Sequence, residues 1–213
     1  MKQRVFNLII LDESGSMSSI ERQAIDGVNE TVQTIRAAQK KHEEQEHFVS
    51  LVAFNSDEVK TIYDKMEAEK VEELTGKQYQ PSCCTPLYDA MGNALTNLRK
   101  SVADEDVVLV TVITDGYENA SHEYSGASIK SLVESLKAKG WIFTYIGANQ
   151  DVEKVASTIS ITNTLPFSAD ADGTRAMFAR ESKARHRLFG RLADKVSRNM
   201  MADDYFDDDD DKK

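Results

Sequence analysis

The chain of 213 residues has only two cysteines, three prolines and one tryptophan. The cysteines are neighbours, Cys83 and Cys84, so they cannot form the framework that staples small secreted domains. No apolar run approaches the roughly 18 residues of a membrane span. The first apolar stretch, Val5 to Leu11, is broken by Asn7 and closed by Asp12, which is too short for an export signal. Together these absences point to the cytoplasm. Three fingerprints of catalysis or nucleotide binding are missing as well: there is no G-x-S-x-G, no G-x-x-x-x-G-K-[ST], and no G-x-G-x-x-G after a strand. There is no internal repeat and no Pro/Gly-rich linker.

What is present is ordinary globular composition, 40% apolar and 29% charged, enough to bury a core in one domain. Charge is uneven. The net −10 hides eight Lys/Arg in residues 173–199, against Glu181 and Asp194, followed by seven Asp and two Lys in residues 200–213. An acidic balance argues against general nucleic-acid or anionic-membrane binding, except through that basic segment.

Four continuously apolar, β-branched runs read as strands buried on both faces: Val5–Leu11, Phe48–Phe54, Val107–Ile113 and Ile142–Ile146. Val59–Tyr63 reads as a weaker edge strand and Thr164–Phe167 as a sixth. Between them lie helical stripes, led by Ile20, Ala24, Val28, Val32 and Ile35, then by Leu87, Met91, Leu95 and Leu98 after Pro86. A third stripe (Ile129, Leu132, Val133, Leu136) stops at Gly140, and a short fourth runs Val152 to Ile159. Alternation of strand and helix predicts an α/β fold, a Rossmann-like, doubly wound, mostly parallel six-stranded sheet with helices on both faces. Residues 1–170 would form this domain. Residues 171–200 (Leu188, Leu192, Val196) would add a basic helix packing on or extending it, and residues 201–213 a disordered acidic tail.

Ligands of such sheets bind beyond the carboxyl ends of the strands. The first strand ends in Asp12-x-Ser14-x-Ser16, with Gly15 relaxing the turn, and the strand Val107–Ile113 runs into Thr114-Asp115-Gly116. Thr85 stands just before the second helix. Two carboxylates and three hydroxyls form an all-oxygen set suited to a hard divalent cation. Mg2+ is the first choice, with Mn2+ or Ca2+ compatible. The bland alternative gives Ser14 and Thr85 to helix caps and Asp115-Gly116 to a turn.

Asp12-x-Ser14-x-Ser16, Thr85 and Asp115-Gly116, in this order, resemble the metal-ion-dependent adhesion site of a von Willebrand factor A domain, over roughly residues 3 to 168. Thr85–Ala90, Thr114–Asn119 and Ala148–Asp151 look like its stand-alone bacterial members. The resemblance implies direct metal contacts from Ser14, Ser16 and Thr85, contacts largely through water from Asp12 and Asp115, and an open position for a partner's Asp or Glu. It implies a protein-binding module rather than an enzyme. Glu13, Met17, Tyr88, Tyr117, Glu118, Asn119 and His122 would form its rim. An AAA+ ATPase, a kinase or a phosphatase would be the partner by the habit of intracellular relatives. Two rivals remain: an Mg2+-dependent phosphohydrolase using Glu13 or Glu118, and a metal-free scaffold acting through the basic helix.

Other motifs have plainer readings. Cys83 and Cys84 stand where bacterial relatives commonly carry glycines. A vicinal disulfide there would strain the backbone and displace Thr85, whereas the plain reading packs both side chains under the loop. His42 and His47 are five apart, about 140° around a helix, so a zincin pair is excluded and a solvated helix end is expected. Asp170-x-Asp172-Gly173-Thr174 matches the signature of haloacid-dehalogenase-type phosphotransferases, but the 39 residues beyond it cannot supply the rest of that site, and Asp172 reads as an N-cap. The basic residues Arg175, Arg180, Lys183, Arg185, Arg187, Arg191, Lys195 and Arg198 read as packing against the chain's own domain or tail rather than as an RNA surface. Asp208–Lys212 also resembles a protease recognition sequence.

Overall fold

The computed structural model describes residues 2–148, 151–193 and 204–206. Six strands form one sheet: β1 (Gln3–Asp12), β2 (Gln45–Phe54), β3 (Val59–Glu67), β4 (Val107–Thr114), β5 (Ile142–Gly147) and β6 (Asn163–Pro166). Their order across the sheet is β3-β2-β1-β4-β5-β6. All neighbours are parallel except β2 and β3, which are joined by a connection too short for a parallel crossover. The buried strands read continuously apolar because helices cover both faces.

On one face lie α1 (Glu21–Lys41) and α5 (Ala171–Ala193), and on the other α2 (Leu87–Leu98), α3 (Gly126–Lys137) and α4 (Val152–Thr158). Helix α1 buries Ala24, Val28, Thr31, Val32, Ile35 and Ala38, a stripe at helical spacing that fixes which side meets the sheet. It ends in Lys40 and Lys41, cations suited to the negative end of the helix dipole. Helix α3 starts at Ser125, whose side chain accepts the Ser128 N–H in a capping box, and Gly140 takes the positive φ of 84° that leads out of it.

Three local readings change. The segment expected as a solvated helix end divides instead: α1 stops at Lys41, and Gln45–His47 open β2 with His47 fully buried. The N-cap of α5 is Asp170 rather than Asp172, since its carboxylate accepts the Asp172 and Gly173 N–H groups. Helix α5 lies against α1, and a Cβ at Gly27 would sit 2.0 Å from the Phe178 ring. Within the tail expected to be disordered, Tyr205 and Phe206 are buried, because two aromatics remove enough apolar area from water to anchor a short segment. Val196, Lys195, Arg198 and the run Asp207–Asp211 lie outside the described residues.

The Tyr205 phenol donates to Glu181 Oε1 at 3.0 Å, and its backbone N–H donates to Asn163. Arg185, wholly buried, donates to Glu181, to Asn7 Oδ1 at 2.8 Å and to Thr111 Oγ1 at 3.0 Å. Arg185 is thus an internal tie between α5, β1, β4 and the C-terminal aromatics.

Candidate metal centre

β1 and β4 are neighbours whose onward connections leave in opposite directions, so the crevice beyond their carboxyl ends is the switch point of the sheet. Leu11 pairs with Ile113, which brings Asp12 beside Thr114. The Thr114 hydroxyl donates to Asp12 Oδ2 at 2.6 Å, and the Ser14 N–H donates to Asp12 Oδ1 at 2.7 Å. From the other side the Ser16 hydroxyl donates to Asp115 Oδ1 at 2.5 Å, with Ser14 Oγ 3.3 Å from Ser16 Oγ. A Cβ built on Gly116 would lie 3.8 Å from Thr85 Oγ1 and 3.9 Å from Ser16 Oγ, so the threonine hydroxyl belongs to the same cluster. Asp12, Ser14, Thr85 and Asp115 are buried, while Ser16 is exposed. All five expected residues converge.

The capping alternative does not account for them. Ser14 precedes the 3-10 turn Gly15–Ile20 without a side-chain cap bond, and the N-cap position of α2 is Pro86. The N-terminal amides of α2 are satisfied elsewhere: Glu118 accepts from Tyr88 N–H at 2.9 Å and Ser121 Oγ from Asp89 N–H at 3.1 Å. Thr85 is instead fixed by its backbone, which exchanges hydrogen bonds with Asn119.

Burial raises the Asp12 carboxyl to about 6, against the pull of its hydrogen bonds with Thr114 and Ser14 and with help from nearby Asp115. Burial also raises Asp115, offset by the Ser16 hydroxyl. Two carboxylates drawn out of water and facing one another are a place where a dication would be stabilised. Among the described residues, no three His, Cys, Asp or Glu side chains converge on a metal-sized point, so a cation here would depend on the hydroxyls. Both Asp12 oxygens already accept a hydrogen bond, which suits contact through water. The donor set fits Mg2+, which keeps several waters and tolerates few carboxylates.

A frame holds the ligand turn. Tyr79, fully buried, donates its phenol to the Asp12 carbonyl at 2.6 Å. Glu13 N–H donates to the Phe54 carbonyl, and Ser82 N–H and Gly15 N–H donate to the carbonyls of Glu13 and Cys83. The Glu13 carboxylate accepts from Lys60 Nζ at 3.0 Å and from Gln80 N–H. Tyr79 carried no sequence signal, because its role is a contact across 67 residues.

The expected rim is only partly a rim. Glu13 and Met17 are buried, Tyr88 packs partly into the core, and Glu118 is engaged by Tyr88, Ala120 and Ser121. Tyr117, Asn119 and His122 remain exposed, Tyr117 by 54%. Cys83 and Cys84, expected beneath the loop, are both exposed and both free thiols.

The sequence profile of the von Willebrand factor type A domain matches residues 8–182. No curated protein matches the chain. Among solved structures, a mutant of the PilB minor pilin of Streptococcus sanguinis aligns at TM-score 0.63 and 14% identity, over 92% of this chain and 64% of the pilin. The chain therefore spans under two thirds of that relative. The vWF domain of the pilus tip protein Mfa5 of Porphyromonas gingivalis gives 0.60 at 10% identity, over 89% of this chain and 97% of that one. Manganese-loaded TRAP of Plasmodium vivax gives 0.54 at 15% identity, over 82% and 72%. At such identities the likeness is one of fold.

Proposed function

Because the chain belongs to the von Willebrand factor type A domain family, a family that often mediates protein–protein interaction, we propose that it binds a partner protein through a divalent cation, Mg2+ first. The observation that carries this reading is the convergence of Ser14, Ser16, Thr85, Asp12 and Asp115 on one crevice. Ser14, Ser16 and Thr85 would hold the ion directly, and Asp12 and Asp115 would orient its waters. When bound, the ion supplies an electrophilic position that accepts an outside carboxylate, since few anionic ligands offset its charge. The chain's own residues bind and orient: Tyr79 and Glu13 fix the ligand turn, Asn119 fixes Thr85, and Tyr117 and His122 offer side chains to whatever docks. The manganese-loaded relative lends support to a divalent metal.

The reading is a binding module without catalysis. Hydrolysis would need a general base beside the crevice, and the two nearby acids are occupied, Glu13 by Lys60 and Glu118 by three backbone N–H groups and a hydroxyl. A scaffold acting through its basic helix loses Arg185, which is buried. The partner offers an Asp or Glu, in the cytoplasm, where an ATPase, kinase or phosphatase assembly would be a suitable class.

Calorimetric titration of Mg2+ and Mn2+ into metal-stripped protein tests this. Saturable binding is expected in the wild type and is lost in Asp12→Asn and Thr85→Ala, with both variants still melting cooperatively. Equal binding in all three would overturn the site.

A further inference from the structure

Cys83 and Cys84 stand at the mouth of the crevice, one residue before Thr85. Cys83 has φ +63°, the left-handed region that disfavours any side chain. Its thiol donates to Asp57 Oδ2 at 2.9 Å, the Cys84 N–H donates to Ser56 Oγ at 3.2 Å, and the Cys83 carbonyl accepts the Gly15 N–H at 3.0 Å. That last bond joins the cysteine loop to the Asp12–Ser16 turn.

We infer that Cys83 and Cys84 are a peroxide-sensitive vicinal dithiol, whose oxidation to a disulfide loosens the Asp12–Ser16 turn and weakens cation binding. The weakened binding rests on the metal reading above, whereas the loosened turn does not. Adjacent Cα atoms are about 3.8 Å apart across a trans peptide, and disulfides normally span about 4.4–6.8 Å. A ring between neighbours therefore closes only by twisting the peptide between them. The carbonyl of that peptide is the one that holds Gly15, so the distortion is delivered to the ligand turn. Closure also withdraws the Cys83 hydrogen from Asp57.

The chemistry balances with hydrogen peroxide as oxidant. The Cys84 sulfur attacks a peroxide oxygen, since the Cys83 thiol is engaged as a donor to Asp57; the O–O bond breaks, and a sulfenic acid and one water are left, the thiol proton passing to that water. The neighbouring sulfur displaces the sulfenic oxygen, the S–S bond forms, and a second water leaves with the other thiol proton. Two thiols lose two electrons, and the peroxide gains them. A strained, exposed disulfide is readily reduced again, so the change is reversible by a dithiol.

The test treats the full chain with hydrogen peroxide and then with dithiothreitol, and reads three signals. Mass spectrometry should find two hydrogens lost from the peptide holding both cysteines, with no covalent cross-link between chains. Hydrogen exchange of the metal-free protein should quicken across the Asp12–Ser16 turn. Mg2+ affinity should fall by about ten-fold, the loss typical when support of a metal ligand is removed. Dithiothreitol should restore all three, and Cys84→Ser should show none of them. Cross-linked dimers or sulfinic acids in place of the ring, or a ring with unchanged exchange in the turn, would overturn the inference. If reduced protein binds no Mg2+, the metal reading fails alone and the exchange still decides the switch.

Discussion

Asp12 is the residue on which the crevice turns, and burial sets its behaviour. With its carboxyl raised to about 6, protons would compete with the proposed cation close to neutral pH. Mg2+ affinity should therefore fall steeply between pH 7 and pH 5, further than Mg2+ binding to a solvent-exposed carboxylate would, and calorimetry at stepped pH reads this directly. A curve flat down to pH 5 would show that Asp12 takes no part. Of the site residues, Asp12, Ser14 and Ser16 are legible from a local spacing, because one turn places them together. Asp115 becomes legible only through the strand-end rule, and Thr85 through its place just before the second helix. Tyr79 and the inward turn of Glu13 were hidden, since nothing near them in the chain announces a partner 67 residues away.

Among the elements, α5 carries the cations that the sequence reads as packing against the chain's own domain or tail, and Arg185 does so: it is wholly buried and serves three elements at once. Glu181 Oε2 has no hydrogen-bond partner among the described residues, so among them the carboxylate is held by Arg185 and Tyr205 through Oε1. Removing one member should be worse than removing its neighbour. Arg185→Met strands the buried carboxylate and should destabilise by about 3–5 kcal/mol. Tyr205→Phe keeps the ring packed and should lose only about 1 kcal/mol. Urea unfolding of both variants checks the order, and equal losses would mean that the pair is not desolvated as described.

For the whole molecule, acid stability is the sum of opposed titrations. Burial lowers His47 to about 3, helped by Arg185 and His42. Its ring packs edge-on against Phe189, and among the described residues Nδ1 finds no partner. Its folded value lies below its ordinary 6.5, so the stability it contributes is present above that pH and is lost as pH falls toward 3. Asp12 has the opposite sign: its folded value is raised, so in metal-free protein its contribution is full below 3.8 and vanishes as pH rises through about 6. Between pH 6 and pH 4 the two nearly offset one another. Asp12→Asn removes one side of the balance and should lose stability from about pH 6.5 downward, more steeply than wild type, as chemical denaturation at stepped pH would record. Parallel curves would refute this account of His47 and Asp12.

The sequence by itself determined the class of the fold, because continuous β-branched runs alternating with helical stripes leave few ways to bury both. It also determined where the oxygen donors would gather, because strand ends in such a sheet share one edge. Tertiary structure decided what the donors lean on and what faces out. Glu118 became a cap for α2, His47 a core residue, Tyr205 and Phe206 anchors, and the two cysteines an exposed pair. Those outcomes rest on packing and hydrogen bonds between residues far apart in the chain, which periodicity and spacing do not encode.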